Sequence, residues 1–205
     1  RFASHADYQL PNGNYVKNSR FQDNNAKLAL GWHHGKWVGN VRYDWSSSTI
    51  GIPGHSHDSV LQTADFISEK QLRKKTLPVQ YLSNHIASFE NKFVLSKHTI
   101  QLLTAFTMNQ LIEHDEKVTI PEMKMNTYNI PYKLNVESRL NNAVVLTYGL
   151  QGMYLFQRNN PQAEDRLVPD ANQSDNGIYF LTAWTKNKWK IQGGARADMR
   201  WISSA

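Results

Sequence analysis

Apolar and polar side chains alternate along most of this chain, one residue at a time. In the clearest stretch every second residue from Leu28 to Trp32 is large and apolar, and after a tight turn the alternation resumes from Trp37 to Trp45. A period of two is typical of β-strands with one apolar and one polar face. The two segments predict a β-hairpin, and the same pattern recurs along the chain.

The alternation predicts an all-β fold with an antiparallel sheet of about nine strands. The predicted strands cover residues 2–9, 20–32, 37–47, 79–91, 98–113, 125–140, 144–156, 178–184 and 189–201. The longest irregular region, residues 48–78, is expected to hold a short helix over Leu61 to Lys75.

The predicted connections alternate in length along the chain. Tight turns follow the second, fourth, sixth and eighth strands, and long polar loops follow the other strands. In a soluble β-sandwich no physical constraint places the short loops at one end and the long loops at the other. A transmembrane β-barrel, by contrast, has short turns at one end and long loops at the other. The alternation therefore favours a transmembrane β-barrel, with this chain forming an arc of a larger wall.

The amino-acid composition of the chain excludes several kinds of site and partner. The chain is 40% hydrophobic and 11% aromatic, its mean hydropathy is −0.58, and it has no cysteine, which excludes disulfides and thiolate metal sites. No apolar run approaches the roughly 20 residues of a transmembrane helix. The net charge of +6 is spread over turns and loops without a recognition motif, so we predict no nucleic-acid partner.

The last predicted strand has two chemically different faces. One set of alternate residues is suited to lipid: Trp189, Ile191, Ala195, Ala197, Met199 and Trp201. The other set is suited to a wet lumen: Lys190, Gln192, Arg196, Asp198 and Arg200. A charge turned toward lipid at the bilayer midplane would cost about 2 to 4 kcal/mol, so the register is strongly specified.

Two parts of the chain resemble TonB-dependent outer-membrane transporters. One runs from Gly177 through the Lys-Asn-Lys turn to Asp198 and contains a Gly-x-Arg-x-Asp pattern, and Val168-Pro169-Asp170-Ala171 precedes it. The other joins residues 21–32, Tyr43-Asp44 and Gly51-Ile52-Pro53-Gly54. The resemblance covers nearly the whole chain as diffuse strand patterning.

This resemblance implies a 22-stranded barrel in the outer membrane of a Gram-negative bacterium. A plug domain would fill the barrel, and the TonB complex of the inner membrane would drive uptake of a scarce nutrient. Residues 1–205 would be a partial barrel domain of about nine strands, an internal piece without plug or C-terminal strands. The expected partners are the lipid bilayer, the TonB complex and a metal ion or metal chelate; no permanently bound cofactor and no enzymatic activity are expected.

A histidine-bearing loop suggests the cargo. Residues 51–58 are similar to the Gly-Leu-Pro-Gly-His-Ser-His-Glu stretch of the zinc-uptake branch, with Asp58 in place of Glu and without the His- and Cys-rich run that follows there. His55 and His57 project to one side of an extended segment, and imidazole nitrogens bind zinc and other transition metals well. The predicted metal ligands are His55, His57, Asp58 and, from another loop, His114, with Asp65, Glu113 and Asp115 as alternatives to it.

Other interpretations stay open. The histidines are alternatively solvated loop residues, or one of them is an axial ligand of haem in a siderophore or haem receptor. Arg196, Asp198 and Arg200 are candidate ligand-binding residues on the lumen face, or they bond to one another or to the plug. No motif of a hydrolase or metalloprotease is present. A soluble all-β binding module would bury the second face of each strand.

Overall fold

The structure is a computed structural model that describes residues 1–54, 66–166 and 168–204 of the 205-residue chain. Its strands are β1 (Phe2–His5), β2 (Tyr15–Val16), β3 (Phe21–His34), β4 (Trp37–Gly51), β5 (Ile67–Ser68), β6 (Val79–Val94), β7 (His98–His114), β8 (Met123–Arg139), β9 (Val144–Asn159), β10 (Ala171–Lys186) and β11 (Trp189–Ser204). Across these ranges, no helix is long and apolar enough to span a membrane.

One antiparallel sheet holds the nine main strands, in the order β1-β3-β4-β6-β7-β8-β9-β10-β11. This confirms the predicted all-β class and the number of main strands. The predicted start of the eighth strand at Ile178 is wrong, because β10 begins at Ala171. Residues 171–176 are mostly polar on both faces, so strand pairing there leaves no alternation to detect.

A second, two-stranded sheet corrects the predicted helix over Leu61 to Lys75. Its strands β2 and β5 pair Tyr15 with Ser68 and Val16 with Ile67. Residues 61–65 of the predicted helix lie outside the described ranges, and the described remainder contains β5 in place of a helix. The conformation of residues 67–68 depends on pairing with β2, which lies in the connection between β1 and β3. A pattern read within residues 61–75 alone contains no information about that partner.

The alternation of connection lengths is confirmed. Tight turns join β3 to β4, β6 to β7, β8 to β9 and β10 to β11, while longer segments join the other main strands at the opposite end. Gly35 and Asn187 adopt left-handed conformations, with φ of 56° and 53°. Residues that accept a positive φ allow the twist of a two-residue hairpin turn.

The register gives the sheet two faces. One row crosses all main strands except β1 and comprises Trp32, Gly39, Asn91, Leu102, Leu134, Leu150, Ile178 and Ala197. We call the face carrying it the apolar face. The adjacent row, on the polar face, comprises His33, Val38, Lys92, Gln101, Asn135, Gly149, Tyr179 and Arg196.

Within residues 1–54, 66–166 and 168–204, no second layer covers either face of the sheet to form a conventional core. Val79 is the one hydrophobic residue that is buried in the described ranges. On the apolar face Leu30 is 74% exposed, Ile178 66% and Met199 67%. Large contiguous apolar surfaces of this kind mark contact with another apolar phase or partner.

Candidate functional site

The polar face carries a row of charged side chains on β10 and β11, which we call the charged ladder: Asp175, Arg196, Asp198 and Arg200. Antiparallel pairing places Arg200 directly opposite Asp175, and Arg200 donates two hydrogen bonds to its carboxylate, both of 2.8 Å. Arg196 and Asp198 lie two residues apart on the same face. Arg196 donates to the Asp198 carboxylate at 2.6 to 2.9 Å.

A glutamine and a glycine next to the charged ladder support its geometry. With its amide oxygen turned to the guanidinium, Gln151 on β9 accepts from both terminal nitrogens of Arg196 at 2.8 and 2.9 Å. Gly177 lies directly opposite Asp198, and a Cβ there would overlap the Asp198 carboxylate. The absence of a side chain at this position gives the ion pair its space.

A cavity of about 440 Å³ adjoins the ladder. Its lining includes the charged ladder together with Lys133, Gln151 and Tyr132. The two guanidinium groups and the two carboxylates balance, so Lys133 adds one positive charge to this wall. The cavity therefore offers hydrogen-bond donors to a polar or anionic ligand. Arg196, Asp198 and Arg200 lie on one face of β11, and their hydrogen bonds to Asp175, Gln151 and one another use much of their bonding capacity within the protein.

The predicted metal ligands fall mostly outside the described ranges, since His55, His57 and Asp58 lie in the segment from 55 to 65. His114 ends β7, where its Nδ1 lies 3.0 Å from the Lys117 carbonyl oxygen. Glu113 immediately precedes His114 in β7, so its side chain points to the opposite face of the sheet. There its carboxylate accepts a hydrogen bond from the Gln80 amide. Within the described ranges, no group of three His, Asp or Glu side chains is placed to hold a metal ion.

The long-loop end of the sheet holds a buried polar network that was not predicted from the sequence. We call it the loop anchor, and it comprises Asp7, Asn18, Arg20 and Thr76. Arg20 is 3% exposed and pairs with Asp7, which is 2% exposed, at 3.2 Å. Arg20 also donates to Thr76 at 2.9 Å. These partners are 13 and 56 residues apart, so no local pattern reveals them.

The loop anchor joins the two connections that flank β3 and β4. The amide of Asn18 donates to the carbonyl oxygens of Ile52 at 3.0 Å and Pro78 at 2.6 Å. Asn18 itself has a left-handed backbone, with φ of 56°, a conformation that asparagine tolerates better than most residues. The anchor therefore fixes Ile52 and Pro78, the two ends of the segment in which His55 and His57 lie.

The other long connections are also held by polar contacts. Lys117 pairs with Glu164 at 3.0 Å, which joins the β7–β8 and β9–β10 connections and raises the pKa of Lys117. The Asp170 carboxylate accepts from the backbone and side chain of Asn159, both at 2.7 Å, and these bonds hold its pKa below the ordinary range.

Comparison with known proteins adds no family to this description. A scan against models of protein families finds no match to the chain, and a search of curated proteins finds none either.

Proposed function

We propose that this chain forms part of the wall of an outer-membrane transport barrel, with the apolar face toward lipid and the polar face toward the lumen. The observation that carries the proposal is the distribution of side chains on the apolar face. Aliphatic residues such as Leu30, Leu102, Leu134 and Leu150 share this face with aromatic residues, which form clusters next to the tight turns and again toward the long loops. This is the arrangement expected of a surface that crosses a bilayer.

One aromatic cluster lies next to the tight turns. The indole of Trp37 stacks on Phe93, with centroids 5.8 Å apart, and meets Trp32 edge-on at 5.5 Å. Trp184 and Trp189 lie at the same end of β10 and β11. Tryptophan is favoured at membrane interfaces because its ring is apolar and its N–H is polar.

The second aromatic cluster lies toward the long loops. Tyr128 stacks on Phe156 with centroids 4.7 Å apart, and Phe106 lies 6.1 Å from Tyr128. One row beyond it, the same face carries the polar residues Gln110, Asn126 and Arg158. The apolar stretch from Trp37 to Trp45 on β4 matches the roughly 9 to 11 residues that a tilted strand needs to cross the hydrocarbon.

Closure of the barrel requires further strands. β1 and β11 are the two edges of the sheet, and in lipid every backbone polar group of an edge must find a partner. These two edge strands are poorly matched for pairing with each other. Eight successive antiparallel pairings leave β1 and β11 parallel, and β1 has four residues whereas β11 has sixteen. We infer that strands outside this chain complete a barrel of the 22-stranded TonB-dependent type.

In this proposal the long loops lie outside the cell and capture the cargo. A plug inside the barrel, moved from the periplasm by the TonB complex, then releases it past the charged ladder on the lumen wall. The proposed cargo is a zinc ion or another transition metal bound by the loop with His55, His57 and Asp58. Arg196, Lys133 and Tyr179 on the polar face favour an anionic siderophore or haem as the alternative cargo.

Zinc titration of the full-length protein in detergent tests the cargo. We expect binding at micromolar or lower concentration, lost in the His55→Ala/His57→Ala variant because a metal site rarely survives removal of two ligands. The matched control is His33→Ala/His34→Ala, which removes an adjacent histidine pair from the tight-turn end of β3. Equal binding by all three proteins, or binding by none, contradicts zinc capture and leaves the siderophore or haem as the cargo.

A further inference from the structure

The four tight turns at one end of the sheet are uniformly basic. They comprise residues 35–36, 95–97, 140–143 and 187–188, with their flanking strand ends. Each turn or its first flanking residue carries a lysine or arginine, and none carries an aspartate or glutamate. The basic residues, which we call the turn collar, are Lys36, Lys97, Arg139, Lys186 and Lys188.

Backbone hydrogen bonds join the four turns into one continuous row. The N–H of Val94 donates to the Lys36 carbonyl at 2.8 Å, and the N–H of Arg139 donates to the Lys97 carbonyl at 2.8 Å. The N–H of Thr185 donates to the Ala143 carbonyl, also at 2.8 Å. Adjacent hairpins are two strands apart, so their charges repeat about every 10 Å along the sheet edge.

The collar is accessible and positively charged. All five side chains belong to exposed residues, and none forms an ion pair among those found in the described ranges. The nearest carboxylates in the flanking strands are Glu90 and Glu137, which point to the polar face. Asn40 donates to the Glu90 carboxylate at 3.2 Å.

The collar borders the aromatic cluster on the apolar face. Lys36 immediately precedes Trp37, Lys188 immediately precedes Trp189, and Lys186 pairs across the hairpin with Trp189. If this cluster marks the edge of the hydrocarbon, the basic side chains lie at the depth of the lipid headgroups. Lysine stems pack along apolar surface while their charged ends reach this layer.

We propose that the turn collar binds anionic phospholipid headgroups of the leaflet next to the tight turns. The inference rests on the proposed membrane location of the apolar face. Each basic residue near an anionic membrane surface contributes on the order of 1 kcal/mol, about a fivefold preference, through attraction to lipid phosphates. A row of such charges makes this end of the sheet select anionic over zwitterionic lipid.

Quenching of native tryptophan fluorescence by brominated lipids tests the proposal in the full-length protein. Of the chain's tryptophans, Trp32, Trp37, Trp184 and Trp189 lie at the tight-turn end. The protein is reconstituted in phosphatidylcholine vesicles containing brominated phosphatidylglycerol or brominated phosphatidylcholine. The ratio of quenching by the two lipids measures the preference for the anionic headgroup.

A triple variant of the collar is compared with a triple variant of equal charge change at the other end of the sheet. We expect Lys36→Gln/Lys97→Gln/Lys186→Gln to lower the preference for phosphatidylglycerol about fivefold or more. Lys70→Gln/Arg73→Gln/Lys74→Gln, in the β4–β6 connection, is expected to leave it within about twofold, because the lost charges lie beyond screening distance of these headgroups.

If the wild type and both variants show the same preference for phosphatidylglycerol over phosphatidylcholine, the turn collar does not bind anionic headgroups. That outcome is distinct from failure of the membrane proposal itself. If brominated phosphatidylcholine does not quench these tryptophans at all, the apolar face does not contact lipid, and the proposed function fails together with the collar. Strong quenching without headgroup preference rejects the collar alone.

Discussion

Replacing Arg20 by methionine is expected to open the loop anchor. The guanidinium of Arg20 compensates the buried carboxylate of Asp7, and its removal leaves that charge in a poorly solvated site. Breaking a buried pair on one side typically costs about 3 to 5 kcal/mol. The N–H of Asp7 donates to the Leu72 carbonyl at 3.1 Å, so its hydrogen-exchange rate in the full-length protein reports the free energy of local opening.

An exposed ion pair provides the matched control. Lys27 pairs with Asp44 at 3.0 Å, but its side chain is 81% exposed, so Lys27→Met is expected to change stability by less than about 1 kcal/mol. The double variant Asp7→Leu/Arg20→Met should recover part of the loss, since neither charge then remains buried alone. Exchange at Asp7 that is no faster in Arg20→Met than in Lys27→Met would contradict the anchor.

Replacing Gly152 by valine is expected to lower the stability of the sheet by about 1 to 3 kcal/mol or more. Gly152 lies in β9, between Tyr132 on β8 and Asn176 on β10. A Cβ there would overlap the Asp175 carbonyl oxygen and the phenol of Tyr132, which donates to Asn176. Backbone and ring must both shift to admit a side chain, and urea unfolding of the full-length protein in detergent measures the cost.

Leu150→Val serves as the control for this substitution. Leu150 lies two residues earlier in β9, on the same face, and is 41% exposed. The variant introduces the same residue into the same strand without the overlap, so a change below about 1 kcal/mol is expected, because only part of one methylene is withdrawn from a contact. Similar losses in Gly152→Val and Leu150→Val would show that close packing across Gly152 is unimportant.

Much of the sheet was predictable because strand starts coincide with strong local signals. Trp37, His98, Val144 and Trp189 each follow a tight turn and open a regular alternation, and β4, β7, β9 and β11 begin at these residues. Prediction failed where alternation is absent. β10 begins in a stretch with polar side chains on both faces, and β5 is a strand only because β2 pairs with it.

The candidate site was less predictable, because its contacts depend on register between strands. Alternation placed Arg196, Asp198 and Arg200 on one face, and their spacing allowed the bond between Arg196 and Asp198. The pairing of Arg200 with Asp175 and of Arg196 with Gln151 requires the alignment of β9, β10 and β11, which no single strand reveals. The Asp7–Arg20 pair depends in the same way on the path of a loop.

We propose that one face of the sheet meets lipid and the other meets water, and spin labels on β11 test this directly. Because the chain has no cysteine, single cysteines introduced from 189 to 201 on β11 carry spin labels at unique sites within it. In the full-length protein in bilayers, we predict alternation. Labels at odd positions such as 191 and 199 should be relaxed mainly by oxygen, which dissolves in hydrocarbon, and labels at even positions such as 196 and 198 mainly by a water-soluble nickel chelate. Relaxation by the nickel chelate at both sets of positions, without a period of two, would contradict the account.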